Sequence, residues 1–211
     1  MPVSRADLLG PRARILAGLP RSGFGDSLFR TRYDYLKPYL LGLLDARLGE
    51  RSSLATHAGD LERSADSAAQ RLGRELRALV LHADSGPAIG LRRLRPRDLQ
   101  EWRTPLPFRF ALAPSGYERF LRAEWLRELG RDDEALGWYG GLDQEDLTGL
   151  IYVAPSHLRQ AEIYQRHGDS KRARAHYQSF LHWWRDADPE LQPLLDSARS
   201  RLVNLSSVVP K

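Results

Sequence analysis

The chain has 211 residues, no cysteine and a formal net charge of +5, from 32 basic and 27 acidic residues. The lack of cysteine excludes disulfides, thiolate metal ligands and cysteine nucleophiles. No apolar run reaches the about 20 residues that cross a bilayer, and the N-terminus lacks the continuous apolar core of a signal peptide. The sequence therefore predicts a globular protein with no membrane span and a cytoplasmic location.

In chain order, the sequence begins with a Gly-, Pro- and Arg-containing stretch over residues 1–35, which we interpret as a partly ordered N-terminal arm. From residue 36 onward, apolar residues recur at spacings of three and four, the period of an amphipathic helix. Residues 95–114 carry four prolines and spaced aromatic residues, which predicts an ordered connector. No stretch alternates as a strand would, so the chain is predicted to be all-α, with helices over 39–49, 68–83, 117–130, 157–168 and 172–184.

The expected helix boundaries follow from capping residues and helix breakers. Glycines and prolines, Pro155 among them, are expected to separate the periodic segments. Ser115 with Glu118 three positions later has the spacing of a capping box, and Asp169 suits an N-cap. Asp188-Pro189-Glu190 places a cap, a proline and an acid at the start of a final helix. The chain is therefore expected to consist of short helices joined by tight turns.

Small and aromatic residues recur 38 positions apart in the second half of the chain. A small side chain is needed where two antiparallel helices cross closely, a glycine where the turn requires a positive φ, and a large ring where neighbouring hairpins leave space. A helix, a turn and a second helix repeated at one period are typical of a helical-hairpin array. The recurring pairs are Ala123/Ala161, Gly130/Gly168, Ala135/Ala173 and Tyr139/Tyr177.

These residues resemble the tetratricopeptide repeat. The stretch 161–177, AEIYQRHGDSKRARAHY, has every small and aromatic residue of that pattern, and 123–139 differs only in having Leu126 at the first ring. Residues 42–58 keep the spacing with three departures, and a fourth unit over 79–91 is degenerate. The resemblance implies antiparallel hairpins stacked as a short right-handed superhelical solenoid. The surplus over the usual period of about 34 residues falls in 140–156, which is expected to be a long loop.

The predicted domain organisation follows from this resemblance. A repeat domain is expected over 36–205, with the clearest repeats at 115–142 and 155–185, followed by a tail at 206–211. The segment 188–205 has one apolar face and a charged back, which suits a terminal capping helix. Its apolar residues are Leu191, Leu194, Leu195, Ala198, Leu202 and Leu205.

The sequence is also similar to the C-terminal repeat regions of bacterial signalling proteins that carry serine/threonine kinases or transcriptional activators. That resemblance implies a non-enzymatic regulatory module, which binds a peptide segment or a partner domain, such as a kinase or regulator domain, in a concave groove. By the family's register the groove residues are Tyr117, Phe120, Glu124, Arg127 and Glu128 in one repeat, and Pro155, Leu158, Glu162, Gln165 and Arg166 in the next.

Two other classes of function, a nucleic-acid-associated regulator and an enzyme, are less favoured by the sequence. A nucleic-acid-associated regulator would use the basic run 91–97, which contains Arg92, Arg93, Arg95 and Arg97. Nucleic acid is not the favoured partner, because acids are interleaved with the bases elsewhere. An enzyme is not favoured either, because no HExxH motif, phosphate loop or nucleophile–base pattern occurs. We therefore expect no catalytic residues, no metal and no cofactor. Of Trp183 and Trp184, one is expected to pack inward and the other to reach the rim.

Overall fold

The computed structural model describes residues 4–17, 35–94, 114–142 and 150–207, and every regular element in these ranges is helical. This confirms the all-α prediction. The contacts divide the chain into two compact units, residues 2–96 and residues 97–211 with Met1, here called the N-terminal and C-terminal units. The helices are α1 (Arg5–Ala17), α2 (Leu36–Leu48), α3 (Arg51–Glu62), α4 (Ser67–Ser85), α5 (Pro87–Arg93), α6 (Pro114–Glu128), α7 (Asp132–Gly140), α8 (Leu150–Arg166), α9 (Ser170–Trp183) and α10 (Gln192–Ser207), with a 3₁₀ turn at Pro189–Leu191 before α10.

In the N-terminal unit each helix packs on the next one, and α2 also packs on α4. The α3–α4 pair is antiparallel, since Arg51 at the start of α3 meets Asp84 at the end of α4, while Glu62 at the end of α3 meets Arg77. Helix α1 lies on α2, within the stretch 1–35 that the sequence assigned to the arm. The core of this unit consists of Tyr39, Leu54, Ala58, Leu61, Ala69, Leu72 and Leu76.

Two glycines allow the helices of this unit to approach closely. A Cβ added to Gly42 would lie 2.4 Å from Cδ1 of Leu76, and one added to Gly73 would lie 2.7 Å from the backbone nitrogen of Glu62. Both distances are below van der Waals contact, so a methyl group does not fit at either position. At Gly73 glycine is therefore required by close backbone approach rather than by backbone angles, whereas at Gly42 an added methyl group would require the Leu76 side chain to shift.

The C-terminal unit contains the α6–α7 and α8–α9 hairpins, and α10 packs on α9. Both hairpins are antiparallel, as cross-helix contacts of Glu124 with Tyr139 and of His157 with His176 require. Ala123, Ala135, Ala161 and Ala173 have no exposed surface, as expected of small residues at helix crossings. The core around the second hairpin consists of Ala154, Leu158, Ala161, Ala173, Tyr177, Phe180, Leu195, Ala198 and Leu205.

The turn residues behave as the sequence predicts. Gly130 and Gly168 have φ values of 72° and 76°, the left-handed region that favours glycine. Gly49, between α2 and α3, has the same conformation with φ 75°. The carboxylate of Asp169 accepts a hydrogen bond from the backbone nitrogen of Arg172 at 2.9 Å, which confirms it as an N-cap.

The start of α8 contradicts the expectation of a long loop over 140–156. The helix begins at Leu150, and Pro155 lies inside it rather than between helices. A proline within a helix leaves the carbonyl four residues earlier without its usual N–H. That carbonyl belongs to Ile151, which is about half exposed, so water can take the place of the missing donor. Ser115 is the second residue of α6 as the structure describes it, and its predicted capping side chain lies outside what is described.

The final helix carries the predicted apolar face. All six apolar residues expected on 188–205 belong to the core around α8 and α9 or pack against it, with Leu195 and Ala198 almost fully buried. Pro189 begins the 3₁₀ turn as predicted, although Asp188 makes no side-chain capping bond. Helix α10 therefore covers the apolar side of α9 and turns polar residues outward.

Several predicted segments lie outside the described residues. These are residues 1–3 and 18–34 of the arm, most of the connector at 95–114 with its aromatic residues, residues 143–149 of the expected loop, and the end of the tail, 208–211. Across the described ranges, no helix combines the length and the hydropathy that a bilayer crossing requires.

Candidate interaction face

Helices α6 and α8 run side by side, which brings together residues 35 positions apart. Glu124 on α6 meets Arg159 on α8 at 3.1 Å, and the rings of Tyr117 and Tyr152 lie 6.0 Å apart. Helix α10 continues the arrangement, because Arg201 lies 3.5 Å from Glu162 of α8. The first helices of the two hairpins and the final helix therefore present one continuous face, called here the α6–α8–α10 face.

A row of paired charges follows this face: Glu124, Arg127, Arg159, Glu162 and Arg201, called here the charge row. Glu124 accepts hydrogen bonds from Arg127 at 3.2 Å and from Arg159 at 3.1 Å. Arg159 also donates to Glu162 at 3.0 Å, and Glu162 in turn faces Arg201. Burial lowers the pKa of Arg159, but Glu124 and Glu162 raise it by more, so the guanidinium is held firmly charged.

Two buried tyrosines of the second helices hydrogen-bond polar side chains of this face. The hydroxyl of Tyr139 on α7 donates to Glu124, and the hydroxyl of Tyr177 on α9 donates to Gln165 at 2.6 Å. Burial raises the pKa of both phenols, so both hydroxyls keep their protons and act as donors. Each second helix therefore fixes a polar side chain on the first helix of its own hairpin.

Aromatic side chains occupy the other end of the face. Phe120 stacks on Tyr152 with ring centroids 5.3 Å apart, and it meets Tyr139 edge-on at 5.8 Å. Tyr117 lies beside Tyr152, and Tyr117, Phe120 and Tyr152 are all half-buried. These three residues, called here the aromatic cluster, leave part of each ring open to solvent. Half-exposed rings on a rigid helical support are a common contact surface for partner side chains.

The predicted groove residues of the first repeat lie along this face. Tyr117 and Phe120 belong to the aromatic cluster, and Glu124 and Arg127 belong to the charge row. Glu124 and Arg127 are mostly covered, with 17% and 24% of their side chains exposed. Glu128 is exposed at the end of α6.

The predicted groove residues of the second repeat do not all lie on this face. Glu162 belongs to the charge row and Gln165 accepts from Tyr177, whereas Arg166 pairs with Asp132 of α7 at 2.9 Å. Leu158 is 6% exposed and lies in the core, so its side chain is taken up by the protein's own packing. Pro155 is half-buried within α8.

Three residues of the face were not identified from the sequence: Tyr152, Arg159 and Arg201. Tyr152 fell within the expected loop over 140–156, and its place on α8 follows only once the helix is extended to Leu150. Arg159 is 35 positions from Glu124, close to the usual period of this repeat, and that spacing could have paired the two. Arg201 lies on the segment that was interpreted as a cap alone.

The structure also places the basic run, the histidines and the two tryptophans that the sequence singled out. Arg93 of the basic run pairs with Glu62 at 2.7 Å, while Arg95 and Arg97 lie outside the described residues. His157 and His176 meet with Nδ1 atoms 3.0 Å apart, a contact that the sequence did not indicate. Within the described ranges no group of three His, Asp or Glu side chains could hold a metal ion. Trp183 is 53% exposed and Trp184 packs on Phe180, as predicted.

The carboxylates and guanidiniums of the charge row neutralise one another, and the hydroxyls of Tyr139 and Tyr177 act as donors to the face. Comparison with protein-family models, with curated proteins and with solved structures finds no match to this chain.

Proposed function

We propose that the protein is a non-enzymatic interaction module of the tetratricopeptide type, with α6 to α10 as a short superhelical array capped by α10. In this proposal the α6–α8–α10 face binds a peptide segment of a partner protein, such as a kinase or regulator domain in bacterial cytoplasmic signalling. The observation that carries the proposal is the alignment of the aromatic cluster and the charge row on consecutive first helices.

The repeated packing residues support the array. Each hairpin has a fully buried alanine on both helices, a left-handed glycine in the turn and a buried tyrosine on the second helix. In both steps a glutamate contacts an arginine of the next helix, Glu124 with Arg159 at an offset of 35 residues and Glu162 with Arg201 at an offset of 39 residues. Contacts of one kind between successive helices are what stacked hairpins produce, and the two offsets differ by about one helical turn.

The chemistry of the face suggests what the bound segment carries. The aromatic cluster suits a large apolar side chain, because half-buried rings gain most from contact with another apolar group. The charge row alternates in sign and is already paired, so a peptide of a single charge would gain from some residues and be repelled by others. We therefore expect a segment with one large apolar residue beside charges of both signs.

A peptide selection on the immobilised full chain tests the proposal. Random peptides are selected by phage display, the best are synthesised, and their dissociation constants are measured by calorimetry on the wild type, Tyr117→Ala and Tyr164→Ala. Tyr164 is also half-buried, but its ring stacks on His176 of α9 rather than lying in the aromatic cluster. Tyr117→Ala should weaken binding about tenfold or more, as loss of an aromatic hot spot does, while Tyr164→Ala should leave it within about threefold.

Failure to select any peptide, or equal effects of the two variants, would contradict the proposal. The competing nucleic-acid function is tested in parallel with random duplex and single-stranded DNA near physiological salt, where we expect no measurable binding. Tight binding that falls steeply with salt and disappears when Arg92, Arg93, Arg95 and Arg97 become alanine would favour that function instead.

A further inference from the structure

A fully buried carboxylate in the N-terminal unit is neutralised from α1. Asp45 on α2 has no exposed surface, and its Oδ1 accepts a hydrogen bond from Nε of Arg12 at 2.6 Å. Its Oδ2 lies 3.4 Å from Nε2 of His57 on α3. A carboxylate removed from water is stable only when a cation or strong donors face it. Among the described residues, Arg12 of α1 is therefore the cation that hydrogen-bonds this carboxylate.

Helix α1 makes several polar contacts with the end of α2 and the turn after it. Leu8 is its buried residue, whereas Leu9 and Leu16 are 47% and 48% exposed. Arg5 donates to the backbone oxygen of Leu48 at 3.2 Å and pairs with Glu50 at 2.6 Å. Pro11 and Ile15 are half-buried beside Leu8, so the arginines act together with a modest apolar contact, Arg12 more strongly than the exposed Arg5.

The acceptors for these arginines lie together at the C-terminal end of α2. The last carbonyls of a helix lack intrahelical donors and carry partial negative charge, so they favour a cation nearby. Asp45 and Glu50 add two negative charges beside the Leu48 carbonyl, partly offset by the exposed Arg47 in the same turn. Together they make a compact anionic site that matches guanidinium groups, which donate several hydrogen bonds in a plane.

The two arginines of α1 that contact this site share one helix face with the buried Leu8. Arg5, Leu8 and Arg12 are spaced by three and four positions, which places them in line along a helix. Residues 18–34 join α1 to the rest of the unit, so the contact is intramolecular and is favoured by a high effective concentration. An equally matched helix supplied at sufficient concentration from outside would compete for the same acceptors.

We propose that the C-terminal end of α2 is a docking site for an arginine-bearing helix of a partner protein, occupied in the free protein by α1. The partner helix carries the same face as α1: an arginine, a leucine three residues later and a second arginine four residues after that. When the partner helix binds, α1 is displaced and its arginine face becomes exposed. The partner therefore binds only as α1 is released. This site lies in the N-terminal unit and is independent of the peptide-binding face proposed above.

Competition with a synthetic copy of α1 tests this proposal. The probe is a fluorescent peptide of residues 4–17, and its dissociation constant is measured by anisotropy on the full chain. The double variant Arg5→Ala/Arg12→Ala, whose own α1 is weakened, should bind the probe about tenfold or more tightly than the wild type does, because a hydrogen bond to a charged group contributes at least that factor. Adding Asp45→Asn to the double variant should remove the gain.

A matched control comes from the same helix. Arg14 is exposed in the last turn of α1, so Arg14→Ala removes the same charge without removing a contact to α2. That variant should bind the probe as weakly as the wild type, and a probe carrying Arg14→Ala should bind the double variant as tightly as the unmodified probe. A probe carrying Arg12→Ala should lose most of its affinity.

Hydrogen exchange on the wild type gives a readout that does not depend on any variant folding. A probe made with 13C-labelled leucine is distinguishable by mass from the protein's own α1. In saturating probe, the amides of α1 in the protein should exchange faster, while those of α2 should not. Unchanged exchange of α1, or a double variant that keeps its helicity without gaining affinity, would overturn the proposal. Exchange of α1 between two copies, detected as a dimer that excludes the probe, would overturn the assignment to a partner protein.

Discussion

Buried alanines lie in both units of the molecule, but the N-terminal unit also has glycines at its closest helix contacts. In the C-terminal unit, four alanines with no exposed surface lie at the helix crossings. In the N-terminal unit, Gly42 and Gly73 lie at positions where even a methyl group would overlap a neighbour. Gly42 stands at the small-residue position of the repeat-like stretch 42–58, whereas Gly73 was not part of that recurring pattern.

The largest expected effect concerns the contact between Gly42 and Leu76. Leu76 has no exposed surface, so Leu76→Ala should lower the free energy of unfolding by about 2–5 kcal/mol. Gly42→Ala alone should also be destabilising, because its Cβ overlaps Cδ1 of Leu76. In the Leu76→Ala background, however, Gly42→Ala should be stabilising, since the new methyl group enters the space that the leucine leaves. Denaturant unfolding of the four proteins measures this coupling. Additive effects would show that the two residues do not share this space.

The second prediction contrasts two glycines that lie within helices. Gly73→Ala should cost about 1–3 kcal/mol, because its methyl group would meet the backbone of Glu62, which cannot rotate away. Gly137→Ala on α7 should instead stabilise by about 0.5–1 kcal/mol, because an added Cβ there has nothing within 4 Å and alanine is the better helix former. Thermal unfolding of both variants tests the contrast, and a stabilising Gly73→Ala would refute the close-approach explanation for the N-terminal unit.

The third prediction concerns a feature that the two units share. Gly49 and Gly168 have φ values of 75° and 76°, and in each turn the next residue donates to a carbonyl five positions earlier. Either glycine replaced by alanine should cost about 1 kcal/mol, since left-handed strain is partly offset by a less flexible unfolded chain. Chemical denaturation should give equal losses. A difference of several-fold would mean that the turns are equivalent in backbone only.

The smallest expected effect distinguishes the two units by charge. Two residues after the turn glycine stands Asp132 in the C-terminal unit and Arg51 in the N-terminal unit. Burial raises the pKa of Asp132, but hydrogen bonds from Arg166 and His167 outweigh it, so the pKa lies below its usual 3.8. A lowered folded-state pKa adds stability that is present above the usual value and lost as the pH falls through the folded-state pKa.

Asp132→Asn should therefore flatten the acid-side fall of the unfolding free energy, by less than about 1 kcal/mol because its partners are half exposed. Asp84→Asn is the matched change in the N-terminal unit, where Asp84 and Arg51 are both exposed, and it should have almost no effect. Urea unfolding at several pH values from neutral to acidic measures both. An equal response of the two variants would remove this difference between the units.

The features predicted correctly from the sequence depend on local chemistry. A glycine between two amphipathic segments indicates a left-handed turn, an aspartate after it indicates an N-cap, and spacing of three and four reveals which face of α10 is apolar. Pro155 was misinterpreted because a proline usually ends a helix, whereas here its missing hydrogen bond falls near an exposed end. The rule that proline ends a helix does not consider whether water can reach the carbonyl that loses its donor.

The contacts between helices could be predicted only in part. Glu124 and the other first-repeat residues were assigned to an inner face by register, but their pairing with Arg159 depends on how far α6 and α8 slide past one another. The contact of His157 with His176 likewise depends on the exact register within the hairpin centred on Gly168. Side-chain pairing of this kind is a property of packing, which periodicity does not determine.

The composition of the charge row determines how easily single substitutions can change the charge of the face during evolution. Its two glutamates and three arginines sum to a formal charge of +1, and the shared residues Glu124, Arg159 and Glu162 each face two neighbours. Replacing Arg159 by glutamate would turn that sum to −1, whereas replacing Glu124 by glutamine would raise it to +2. Because the alanines and tyrosines beneath belong to separate positions, inherited changes of one residue can reverse the electrostatic preference of the face while the scaffold is retained.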